Sequence, residues 1–155
     1  MITSYALLKL FHLAAVVLFL GNVTLGLWWV KHAERTRDAK LIGHAMHGVV
    51  RSDRWFTIPG VFLILIAGTA AALTGGLRVM GTPWIFWSAM LFLASGAVFG
   101  AVLGPLQKKI VAVANGANVD HAQLDGMLKR WHAWGWVSTA PLWVAFAMMI
   151  LKWPA

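Results

Sequence analysis

Residues 5–30, YALLKLFHLAAVVLFLGNVTLGLWWV, decide the fold. The stretch is apolar apart from a few positions, Lys9, His12 and Asn22 among them. It exceeds the roughly 20 residues that an α-helix needs to cross a bilayer. It is also too long for a removable signal peptide and has no small-residue cleavage site followed by a polar region, so it is expected to stay as a helix. Working outward, residues 55–77, 84–106 and 134–151 are apolar stretches of the same kind. The expected fold class is therefore all-α: a four-helix transmembrane bundle forming a single integral membrane domain over residues 1–155.

The composition agrees. Of 155 residues, 60% are hydrophobic and 12% charged, against about 45–50% and about 25% in soluble domains. The four spans leave no room for a soluble catalytic domain. The absence of cysteine excludes disulfides, thiolate metal sites, iron–sulfur clusters and cysteine nucleophiles.

The formal charge of +8 would suggest nucleic acid in a soluble chain. Here ten of the thirteen basic residues fall in the connections 31–54 and 107–133. The positive-inside rule then makes both connections cytoplasmic and both termini external in a bacterial inner membrane, with lipid and not nucleic acid as the partner. Tryptophans follow the same division, with Trp28, Trp29, Trp55, Trp131, Trp134 and Trp136 expected at the inner boundary and Trp84, Trp87 and Trp153 at the outer one. The short connection 78–83 is a tight turn, marked by Gly75-Gly76 and by Gly81-Thr82-Pro83.

Helical periodicity assigns faces. At 100° per residue His12, Ala15, Phe19, Asn22 and Gly26 share one side of the first helix, which should look inward, toward the bundle core or a cofactor. Lys40, His44, His47, Arg51 and Arg54 share one face of the segment before the second span, with Ile42, Met46 and Val49 opposite. This connection is expected to be an amphipathic helical extension on the cytoplasmic side. Its basic face suits anionic headgroups, or a cradle for haem propionates or a quinone headgroup. Pro59-Gly60 should kink the second helix, and such kinks recur where bundles open pockets. In the third span Gly96, Gly100 and Gly104 form overlapping G-x-x-x-G units, a seam for a neighbouring helix or a second subunit of a homodimer or larger complex.

His12 lies about 10 Å below the outer surface, where an ionisable group is a candidate ligand, proton relay or substrate contact, or else a neutral core histidine bonded across the bundle. As an iron ligand it would be the metal-binding residue of a b-type haem. Counting along each helix brings Thr69, Met90 and Met148 to its level, so the ligation would be His/Met, five-coordinate or shared between subunits. Arg51 and Arg54 lie at the other end, so the propionates of that haem would have to reach Lys9 or Arg78. His32, His44, His47 and His132 could meet near the inner surface, and His132 joins Arg51 and Arg54 as a candidate cofactor contact there. Their spacing matches no zinc signature.

The segments KLFHLAAVVLFLG (9–21), SDRWFTIPG (52–60), GPLQKK (104–109) and RWHAWGW (130–136) resemble a bacterial family of predicted four-helix integral membrane proteins, domain of unknown function 2269. The likeness covers almost the whole chain. More distantly, Lys9-x-x-His12 and Lys31-His32 resemble the first helix of the haem-binding HemJ proteins and of the copper-resistance D superfamily. That resemblance implies a functional histidine on helix 1 and a lysine on helix 3. Residues 84–106 hold neither Lys nor His, so a haem or quinone pocket beneath His12 is what the resemblance carries over.

Two functions compete: a haem-binding or quinone-linked redox protein, and a non-enzymatic subunit or assembly factor using the glycine seam. A small transporter ranks last, because one histidine and no buried acid offer few ion ligands.

Overall fold

The computed structural model describes residues 3–155 and is helical in all its regular structure. Helix α1 is Ser4–Glu34. Helix α2, Ala39–Ser52, runs through a π-helical turn, Asp53–Thr57, into α3, Ile58–Thr74. Helix α4, Pro83–Val98, runs through a second π turn, Phe99–Leu103, into α5, Gly104–Ala114. Helix α6 is His121–Leu151. Four continuous helices, Ser4–Glu34, Ala39–Thr74, Pro83–Ala114 and His121–Leu151, are long and apolar enough to span a membrane.

Local chemistry sets the starts. The side chains of Thr3, Asp38 and Asp120 accept backbone N–H bonds at the first turns of α1, α2 and α6, satisfying donors that have no partner inside the helix. Proline occupies the opening of α4, where its missing N–H costs nothing. Arg37, at φ 54°, takes the left-handed turn between α1 and α2.

The two π turns share one cause. Pro59 and Pro105 each follow a π turn by two residues, and a proline inside a helix removes one hydrogen bond and crowds the carbonyl four residues before it. Widening the turn relieves that conflict: the N–H of Ile58 donates to Asp53 O, and that of Gly104 to Phe99 O. Each bulge also rotates the following side chains by about 100° relative to the preceding ones. The two halves of each bent helix therefore face different neighbours. Helices α2 and α5 pack together, whereas α3 runs along α1 and α4 along α6.

Two cores result. One, at the basic end, joins Leu27, Val30, Met46, Ile110, Leu124 and Trp131 with their neighbours, and Met46, Ile110 and Val30 are wholly buried there. The second, inside the span, joins Ala15, Phe19, Leu20, Ile64 and Leu142. Helix α2 is amphipathic as expected: Lys40, His44, His47 and Arg51 are exposed, as is Arg54 in the π turn that follows, and Ile42, Met46 and Val49 are buried.

The connection 31–54 is mostly helix as expected, and so is 107–133, because α1, α2, α5 and α6 continue past the apolar stretches to build the basic-end core. Three expectations need correction. The glycine seam is not packed within the chain: a Cβ at Gly96 or Gly100 would meet no atom within 4 Å, and one at Gly104 only its own helix backbone. The close-packed glycines are elsewhere, Gly68 against His12 and Gly135 against Leu27. Trp131 is no interfacial residue, being 3% exposed. Finally, the bundle does hold a buried acid, Asp53, at 6% exposure.

Candidate functional site

Between the two cores lies a cavity of about 400 Å³. That is within the range of small-molecule sites. Its wall is mainly apolar, with Phe19, Val61, Phe92, Phe99, Leu103 and Leu142 among the contributors. Both π turns line it, and so do Asn22, Asp53, Thr57, Gln107, Ser95, Ser138 and Thr139. π turns recur at functional sites because they redirect side chains that a regular helix would turn elsewhere.

The polar groups form one network centred on Asp53. Thr57 donates its hydroxyl to Asp53 Oδ1 at 2.7 Å, and Gln107 Nε2 donates to Oδ2 at 3.0 Å. Asn22 Nδ2 donates to Thr57 Oγ1 at 3.0 Å and to Asp53 Oδ1 at 3.3 Å. Three of the four membrane-spanning helices are thereby joined at one carboxyl group. Every hydrogen bond that Asp53 makes here is one that it accepts, and no basic side chain takes part. Trp131, another wall residue, has a buried Nε1–H without an acceptor. That atom is closed off from the cavity as well as from solvent, so the indole serves in the packing of the wall and offers a ligand no hydrogen bond.

Of the residues singled out from sequence, Asn22 belongs to this network. His12 does not line the cavity. Its Nδ1 lies 3.0 Å from Ile64 O, and its ring fills the space left by Gly68, where a Cβ would come within 2.7 Å. Because a carbonyl only accepts, Nδ1 carries the proton. Met90 and Met148 belong to the α4/α6 pair, with Met148 buried, whereas His12 packs in the α1/α3 pair. Arg51 and Arg54 are exposed, Arg51 beside a shallow depression with Gly48, Ser52, Trp55 and Phe56. His132 is paired with Glu34, which also binds Lys31. The ring of His32 stacks on Trp28, with centroids 5.4 Å apart. Among the described residues no group of three or more His, Asp or Glu could hold a metal ion.

The donor set does not fit haem. Among the described residues the cavity wall contains no His, Met, Lys or Tyr, the side chains that serve as axial ligands in a chain without cysteine.

Sequence reasoning missed Asp53, Thr57, Gln107 and Trp131. A signal was present: Asp53 stands six residues before Pro59 and Thr57 one turn after Asp53, while Gln107 follows Pro105 by two. Reading the prolines as π-turn markers would have brought these residues inward.

A family model described as predicted integral membrane protein (DUF2269) matches residues 6–153. No curated protein and no solved structure matches the chain.

Proposed function

The chain belongs to the DUF2269 family of predicted integral membrane proteins, and on that premise we propose that its cavity binds a lipophilic small molecule with a polar head, of the quinone class. The observation that carries this reading is the junction of an apolar chamber of about 400 Å³ with the Asn22–Asp53–Thr57–Gln107 network. A ring with oxygen substituents matches such a site: its carbon frame lies against Phe19, Phe92 and Phe99, and its oxygens meet polar groups otherwise shielded from water.

The test is binding in lipid nanodiscs. Decylubiquinone should quench tryptophan fluorescence saturably, and solvent extraction of freshly purified protein should yield a lipophilic ring compound by mass spectrometry. Gly96→Phe adds a ring at the cavity wall where no atom lies within 4 Å. It should weaken binding at least tenfold while the helix content stays intact. Unsaturable quenching that Gly96→Phe leaves unchanged would overturn the reading.

A second reading, a subunit of a membrane complex, is favoured by the open space over Gly96 and Gly100, which are exposed along one side of α4 and the second π turn. Small residues allow close backbone approach by another helix. Gly100→Cys would form a disulfide-linked species in membranes if a second copy sits there.

A further inference from the structure

The polar end of the cavity is unequal in what it offers a ligand. The hydroxyl of Thr57 and the amide nitrogen of Asn22 donate to other members of the network, and Gln107 turns its amide nitrogen toward Asp53. A carboxylate has about four acceptor positions on its two oxygens. Asp53 uses two on Oδ1 and one on Oδ2, which leaves an open position on Oδ2 in a side chain that lines the cavity and is 6% exposed.

We infer that the site discriminates by hydrogen-bonding state and binds the hydroxyl-headed, reduced form of its ligand, a quinol, in preference to the carbonyl-headed quinone. This rests on the reading of the cavity given above. A hydroxyl donates to the open position on Asp53 Oδ2. A quinone carbonyl turned to Asp53 sets lone pairs against lone pairs, and a buried polar group left without a partner is disfavoured.

The experiment compares decylubiquinol, held reduced under anaerobic conditions, with decylubiquinone and with the dimethyl ether of decylubiquinol, all on the wild-type protein in nanodiscs. The quinol should bind about tenfold or more tighter than either of the others, because only it has a hydrogen to donate. Asp53→Asn, which can turn a donor toward the ligand, should bring the quinol-to-quinone ratio toward one while quinone still binds. Equal affinity for all three probes in the wild-type protein would overturn the inference and leave the cavity reading standing. Failure of every probe to bind would overturn both. An Asp53→Asn protein that keeps the full wild-type ratio would remove Asp53 as the discriminating group. The ether comparison decides the matter without any substitution, should the variant not fold.

Discussion

Gly68 and His12 occupy one another's space: a Cβ on Gly68 would stand 2.7 Å from the imidazole that bonds to Ile64 O. The histidine read from sequence as a metal ligand is held between α1 and α3 by a neighbour small enough to admit it. Gly68→Ala should therefore destabilise the protein by about 1–3 kcal/mol through overpacking. Gly48→Ala, at a helical position with nothing within 4 Å, should be neutral or stabilising by up to about 1 kcal/mol. Thermal unfolding of the two variants in one detergent checks the contrast, and equal melting would show that the ring moves aside freely.

His12→Ala should lower thermal stability, since it empties a packed site and removes a helix-to-helix bond at a cost of about 1–3 kcal/mol. Quinol binding in the cavity should be unchanged. An optical spectrum is the other arm: a Soret band in the wild-type protein that His12→Ala abolishes would return His12 to the role of iron ligand.

Asp53→Ala should be among the most damaging single substitutions. It leaves donors on Thr57 and Gln107 facing no acceptor and takes one of two acceptors from Asn22, at about 1–3 kcal/mol for each group left buried and unmet. Asp53→Asn preserves the shape and one acceptor, and should cost clearly less. Unfolding of both variants against Ser52→Ala, a nearby side chain that bonds only to its own helix, measures the difference.

Gly135→Leu should disrupt folding, because Leu27 already occupies the position of the added side chain. Gly100→Leu should be tolerated by the monomer. Yield and thermal stability after detergent extraction rank the two. Loss of a larger species on Gly100→Leu, with the monomer still folded, would assign the glycine line to a partner copy.

The orientation expected from loop charge is open to direct labelling, because the chain has no native cysteine. A single cysteine at Met80, which is 78% exposed, should react with an impermeant maleimide in intact cells. One at exposed Ala117 should react only after permeabilisation. The reverse pattern would invert the topology.

The sequence by itself determined the solvent of the fold and the number of crossings. Only helices long enough to span a bilayer accommodate four such apolar stretches, and hydropathy is a local property summed over about 20 residues. It also determined the buried face of α1 and the two faces of α2, since periodicity along one helix needs no knowledge of its neighbours. The tertiary structure alone decided which polar residues face the cavity. Asp53 lies in the amphipathic stretch before the second span, Gln107 in a connection, and Trp131 where hydropathy places a belt. Asp53 and Gln107 are buried because each π turn redirects one half of a helix against a different partner, and Trp131 because α6 extends past the apolar stretch into the basic-end core. The glycines show the same division: G-x-x-x-G spacing is visible in one helix, but whether another helix lies against it depends on the packing of all four.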